Sequence, residues 1–108
     1  MSPPIAIVPL VSLVDRRPIR VPHPPYDIVV VRVDDSIFAL EDACNHSSAS
    51  LSEGFVRAAC LVCPAHGFSF ALATGELVDP PGRCDDQAVY AVRLVGGEVH
   101  LHLPGRED

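Results

Sequence analysis

The chain has 108 residues, 14 acidic and 8 basic side chains, and a formal net charge of −6. This length leaves room for one domain with a modest core and excludes a large embedded catalytic domain. The acidic balance argues against nucleic-acid binding, which depends largely on Lys and Arg contacts to phosphate. No apolar run approaches the ~20 residues of a membrane-spanning helix, and the first residues lack the features of a signal peptide. We therefore expect a cytoplasmic protein that does not enter a membrane.

Short β segments separated by turns predict a single all-β domain over residues 1–108. In chain order, strands are predicted in the apolar segment 1–15, at 27–33 and 36–41 around Asp34-Asp35, at 59–63, and at 88–95 and 98–103 around Gly96-Gly97. The glycine pair is the stronger hairpin signal because glycine accepts the positive φ of tight turns. Eleven prolines, seven glycines and no sustained helical periodicity favour β structure over helices.

Two segments each offer one thiolate and one imidazole. Cys44 and His46 lie in "CNH", and sixteen residues separate His46 from Cys63 and His66 in "CPAH". Both segments are typical of loops, because the first is polar and the second contains a proline and is followed by a glycine. Two loops of this kind can bring four ligands to one metal centre.

Three interpretations of this set differ in their chemistry. A structural zinc site is one, since Cys₂His₂ is a common zinc set, although zinc fingers usually pair Cys with Cys and His with His. One cysteine and one histidine per loop instead suit a two-iron cluster, with thiolates on one iron and imidazoles on the other. A catalytic pair of Cys63 and His66 would leave Cys44 and His46 without a role.

The four residues and their surroundings resemble the Rieske-type [2Fe–2S] proteins. The resemblance covers about residues 27–103 and includes "CNHSSASLSEG", "CPAHG" and "GFSFALATGELVDPPG". It implies one [2Fe–2S] cluster, with Cys44 and Cys63 on one iron and His46 and His66 on the outer iron. It also implies a Rieske-like antiparallel β-sandwich base with a small inserted cluster-binding lobe at about 43–70, and a proline loop at 79–82 that shields the cluster.

Two departures from the Rieske proteins of respiratory complexes predict a low reduction potential. Those proteins have two further loop cysteines that form a disulfide, whereas this chain has Ala49 and Ala65. They also have a serine and a tyrosine whose hydroxyls donate to the cluster, whereas this chain has Phe68 and Phe70. Because hydrogen bonds to sulfur stabilise the added electron, we expect a potential near the low end of the Rieske range, about −150 mV.

A low-potential Rieske domain of this length resembles the ferredoxin component of bacterial multicomponent oxygenases of the aromatic-ring dioxygenase type. The resemblance implies a one-electron carrier rather than an enzyme, which accepts electrons from a flavin reductase and docks to a terminal oxygenase near His46 and His66. The predicted apolar docking patch consists of Leu51, Phe55, Pro80 and Pro81. Two alternatives remain: the small Rieske-like subunit of an assimilatory nitrite reductase or other reductase, and a zinc-stabilised scaffold without redox activity.

The remaining cysteines, Cys60 and Cys84, are predicted to be free thiols, because disulfides are rare in a reducing compartment. Cys60 lies three residues before Cys63 in a predicted strand, so their side chains should point to opposite faces. We expect Cys60 to be a small buried residue.

Overall fold

The computed structural model describes residues 4–23, 27–44 and 49–102, and these residues form ten short strands. The strands are β1 (Ala6–Pro9), β2 (Ile19–Val21), β3 (Ile28–Val33), β4 (Ser36–Glu41), β5 (Phe55–Arg57), β6 (Cys60–Val62), β7 (Ser69–Ala71), β8 (Leu77–Asp79), β9 (Val89–Val95) and β10 (Glu98–His102). Two 3₁₀ turns lie at Leu10–Ser12 and Leu51–Glu53. The predicted all-β class is confirmed.

The strands form two antiparallel sheets. The six-stranded base sheet has the order β1-β10-β9-β4-β3-β2, and the second sheet has the order β5-β6-β7-β8. Both predicted hairpins are present in the base sheet. Gly96 and Gly97 have φ of 55° and 82°, as the tight turn between β9 and β10 requires. The second sheet runs to Asp79 and so extends beyond residue 70, the predicted end of the inserted lobe.

Strand β3 is buried on both faces because it lies between two apolar clusters. Val29 and Val31 belong to the cluster that joins the base to the second sheet and also contains Cys44 and Cys63. The alternate residues Ile28 and Val30 belong to a second cluster, formed with side chains of β1, β9 and β10. Successive strand residues point to opposite faces, so the unbroken apolar run of β3 fits a central strand.

The turn between β3 and β4 is held by Asp15, from the segment before β2. Asp15 Oδ1 accepts a hydrogen bond from the Asp34 N–H at 2.7 Å, and the Arg16 guanidinium forms ion pairs with both carboxylates. Asp34 has a φ of 55°, a conformation that aspartate tolerates better than most residues. The Asp34 backbone hydrogen bond, aided by Arg16, lowers the pKa of the Asp15 carboxyl below its usual 3.8.

This lowered pKa predicts that Asp15 stabilises the fold less in acid. A carboxylate whose pKa is lower in the folded state contributes its stability above the unfolded pKa, and that contribution is lost as the pH falls through the folded value. We expect stability to decrease below pH 3.8 and Asp15→Asn to flatten that part of the profile. Urea midpoints measured from pH 2 to 7 test this, with Asp35→Asn as the control at the same turn. Equal profiles for Asp15→Asn and the wild type would contradict the assignment.

Candidate cluster-binding site

The first loop begins at Cys44, just after β4. Cys44 is buried, with 2% of its surface exposed, and its N–H donates to the Ala49 carbonyl at 2.8 Å. This hydrogen bond and an antiparallel bridge between Ala43 and Ser50 join the two ends of the loop and so close it. His46, the predicted histidine ligand of this loop, lies outside the described residues.

The second loop begins at Cys63, just after β6, and is closed in the same way. Cys63 is buried, and its N–H donates to the Phe68 carbonyl at 2.8 Å. Gly67 has a φ of 75° and donates its N–H back to the Cys63 carbonyl at 3.0 Å. This tight turn leaves His66 exposed at the surface. The loop therefore buries its thiol and presents its imidazole to solvent.

The chemistry and burial of these residues fit a Rieske cluster. Cys44 and Cys63 belong to one buried cluster with Leu51, Phe68 and Phe70, so both sulfurs lie in apolar surroundings. Thiolate and neutral imidazole are the ligands of Rieske iron, and the exposed imidazole of the second loop suits the outer iron. Within residues 4–23, 27–44 and 49–102, no three candidate ligands converge on one metal position. The four-residue ligand set therefore stays a prediction.

Phe68 and Phe70 are buried in the same apolar cluster as the two predicted cysteine ligands. Neither ring carries a hydroxyl group. Ser69 lies between them in the sequence and is also buried. The positions at which respiratory Rieske proteins have hydroxyl donors are therefore occupied here by apolar rings.

Two buried polar residues that the sequence did not single out support the first loop. Asp42 Oδ1 accepts the Ser52 N–H at 2.8 Å, and the Asp42 carbonyl accepts the Leu51 N–H at 2.8 Å. Gln87 donates from Nε2 to the carbonyls of residues 41 and 43 at 2.8 and 2.9 Å. The Gln87 contacts connect segments more than forty residues apart in sequence, so no local pattern could have indicated them.

The predicted docking patch needs one correction. Leu51 is fully buried because it begins a 3₁₀ turn that points into the core beside Cys44, and its place in the patch was predicted wrongly. Phe55 is half exposed, at 50%, and the guanidinium carbon of Arg57 lies 5.6 Å from its ring centroid. Pro81 is exposed and Pro80 is partly buried.

The other two cysteines are free, as predicted. Cys60 is only partly buried, contrary to expectation, because it begins β6 at the end of the sheet away from the loops. Burial raises the pKa of the Cys84 thiol, and the negative charges of Asp85, Asp86 and Cys63 raise it further. The raised pKa disfavours the thiolate form of Cys84, which is the reactive form of a cysteine.

These observations define a two-sheet β protein with two cysteines of one buried cluster, each at the start of a loop. Residues 6–93 match the family model of the Rieske [2Fe-2S] domain, so the chain belongs to the Rieske [2Fe–2S] family. It carries one [2Fe–2S] cluster and acts in electron transfer. Among the described residues, none forms a helix long and apolar enough to cross a membrane.

The relatives narrow this family assignment to ferredoxins. The anthranilate 1,2-dioxygenase ferredoxin subunit of Burkholderia cepacia is 37% identical over 76 residues, which cover 70% of this chain and 69% of that protein. The 3-phenylpropionate/cinnamic acid dioxygenase ferredoxin subunit of Escherichia coli K12 is 32% identical over 97 residues, covering 89% and 90%. Like these subunits, this chain is an electron carrier and not a catalytic component.

Solved structures agree with this conclusion. The ferredoxin of carbazole 1,9a-dioxygenase from Nocardioides aromaticivorans IC177 superposes with a TM-score of 0.84 and 27% identity, over 94% of this chain and 99% of that one. A chain from the complex of reduced oxygenase and oxidized ferredoxin in carbazole 1,9a-dioxygenase superposes with a TM-score of 0.80 and 31% identity, covering 89% of each. In that system, a ferredoxin binds its oxygenase directly.

Proposed function

We propose that this ferredoxin holds its cluster with Cys44, His46, Cys63 and His66. We further propose that it passes single electrons from a flavin-dependent reductase to the terminal oxygenase of an aromatic-ring dioxygenase in the cytoplasm. The observation that carries the proposal is the matched closure of two loops around two buried cysteines. The dioxygenase ferredoxin relatives and the oxygenase–ferredoxin complex support the choice of partner. Residues 43–70 form the proposed cluster-binding lobe of the domain.

The chain's own residues hold the cluster and shape its surroundings. When bound, the cluster supplies one-electron redox chemistry. The thiolates of Cys44 and Cys63 offset the charge of the oxidised core, so the holo-protein stays near the formal net charge of −6. Leu51, Phe68 and Phe70 keep water away from the buried side. His66 lies at the surface, where its ring offers a short path to a partner docked beside Phe55 and Pro81.

The apolar rings predict a potential near −150 mV, the low end of the Rieske range. Phe68→Ser would place a hydroxyl donor beside the cluster. One such hydrogen bond, worth about 1 kcal/mol, corresponds to about 40 mV for a one-electron couple. We expect Phe68→Ser to have a potential about 40 mV above that of Phe68→Ala, which makes a similar cavity without the hydroxyl. Redox titration followed by EPR measures both, and equal potentials would contradict the argument.

The first test of the proposed function is the EPR spectrum of the dithionite-reduced protein, with iron, sulfide and zinc quantified on the same sample. Two irons per chain and a rhombic signal, with an average g below that of four-cysteine ferredoxins, are expected. An EPR-silent protein with one zinc would overturn the proposal in favour of a structural zinc site.

The partner is tested separately by stopped-flow mixing. We expect the reduced protein to be reoxidised rapidly by a purified aromatic-ring dioxygenase oxygenase component. A nitrite reductase large subunit serves as the comparison acceptor. Rapid transfer to the nitrite reductase alone would retain the electron carrier and overturn the dioxygenase assignment.

A further inference from the structure

The Gln87 side chain connects the segment after the proline loop to the start of the first cluster loop by two hydrogen bonds. It is 3% exposed, and its Nε2 donates to the carbonyl of Glu41 at 2.8 Å and to that of Ala43 at 2.9 Å. Glu41 ends β4, and Ala43 immediately precedes Cys44. One side-chain amide therefore spans the three residues that lead into the loop.

The second of these bonds acts on the peptide unit that carries the Cys44 nitrogen. The carbonyl of Ala43 accepts from Gln87 at 2.9 Å, and the N–H of Cys44 donates to the Ala49 carbonyl at 2.8 Å. These two groups belong to one planar peptide unit. Its orientation is therefore fixed from both sides, and with it the position of the Cys44 Cα, which lies in the same plane.

Gln87 is itself held firmly. Its N–H donates to the Gly75 carbonyl at 2.7 Å. A Cβ at Gly75, which has a φ of 78°, would lie only 2.1 Å from the Gln87 carbonyl oxygen. The backbone of Gln87 is thus packed directly against the turn between β7 and β8, in the second sheet. The amide connects that sheet to the first cluster loop.

The two acceptors specify the chemistry of this side chain. Both carbonyls accept from Nε2, so the site uses both hydrogens of a primary amide. A glutamate at this position would place acceptor oxygens against two carbonyl oxygens, and a methionine of similar shape would offer no donor. A buried carbonyl that loses its donor retains its desolvation cost.

We propose that Gln87 is a positioning residue for the cluster ligand Cys44, acting through the peptide unit of residues 43 and 44. This inference rests on the proposed function, because it takes Cys44 as a ligand. Groups that orient metal ligands without touching the metal typically change metal affinity by about 10–100-fold when removed. Loss of the two donors should therefore weaken cluster retention more than it weakens the fold.

The test compares Gln87→Met and Gln87→Glu with Val99→Ala in the holo-protein. Val99 is buried in the other apolar cluster, with side chains of β1, β3 and β10, and its truncation destabilises the fold away from the loops. The measurements are thermal unfolding, the rate of iron release to a chelator, and the width of the EPR lines. We expect iron release to be roughly tenfold faster in both Gln87 variants, with broadened EPR lines. Val99→Ala should unfold at lower temperature and keep the wild-type lines.

Each outcome is decisive. Wild-type iron release and EPR lines in Gln87→Met would overturn the role of Gln87 while leaving the cluster assignment intact. A wild-type protein without a two-iron cluster would overturn both proposals. Should Gln87→Met and Gln87→Glu fail to fold, Gln87→Asn retains the amide and falls one methylene short of the carbonyls. Unchanged iron release in Gln87→Asn would then overturn the inference, and faster release would support it.

Discussion

Cys63→Ala is expected to purify without iron and without the rhombic EPR signal of the reduced wild type. Cys63 is a proposed thiolate ligand, and alanine offers no donor to replace it. The buried position gives water and free thiols little access to the open coordination site. We expect complete loss of electron transfer together with the cluster, and the same result for Cys44→Ala. Metal analysis, visible absorbance and EPR on the purified variants measure this effect.

Cys60→Ala is the matched control for that experiment. Cys60 is the first residue of β6, and Cys63 directly follows that strand. Cys60 lies toward the end of β6 away from the cluster loops, so its removal should leave two irons per chain and an unchanged spectrum. Retention of the cluster in Cys63→Ala, or its loss in Cys60→Ala, would contradict the ligand assignment.

Gly54→Ala is expected to destabilise the protein by about 3 kcal/mol, at the upper end of the usual cost of overpacking. A Cβ at Gly54 would lie 1.9 Å from the carbonyl oxygen of Val62 and 3.2 Å from that of Leu51. The backbone of Gly54 has a φ of −86°, which any residue can adopt. The expected loss of stability is therefore steric, because the added Cβ would clash with backbone carbonyl groups, which cannot change rotamer as a side chain can.

Gly82→Ala separates this steric cost from the general cost of replacing a glycine. Gly82 has a φ of 75°, and no heavy atom lies within 4 Å of its added Cβ. Its substitution should cost only the backbone strain, about 1–2 kcal/mol. Chemical denaturation of the wild type and both variants gives the two free energies of unfolding. A smaller loss for Gly54→Ala than for Gly82→Ala would show that β6 shifts readily, and would contradict the close packing.

The Gly54→Ala variant should also affect the cluster, because Val62 immediately precedes Cys63. If the strand moves to relieve the clash, the thiol moves with it. We therefore expect faster iron release from Gly54→Ala than from Gly82→Ala.

The base sheet could be predicted from sequence because its strands are long enough to show a pattern. β3, β4, β9 and β10 are five to seven residues long, and each pair is joined by a recognisable turn. Three strands of the second sheet, β5, β7 and β8, were not predicted. Each has only three residues, too few to show an alternation of period two.

The candidate site was predictable only in part, for a different reason. Cys44, Cys63 and His66 lie in short local motifs, and the structure places them in two loops of matching closure. The contribution of Gln87 depends on hydrogen bonds to residues more than forty positions away in sequence. Leu51 was misplaced because a leucine in a polar loop looks exposed, whereas the 3₁₀ turn directs it inward. Such facts depend on tertiary packing, which a local pattern does not contain.

Because β3 is buried on both faces, we expect the folding of the base sheet and the retention of iron to be coupled. Val29 and Val31 support the side that holds the cysteines, while Ile28 and Val30 close the opposite side of the base. Unfolding of either apolar cluster would therefore expose one face of β3 to water. Bleaching of the visible colour on heating or in denaturant should therefore coincide with loss of β structure, and colour becomes a direct optical gauge of folding.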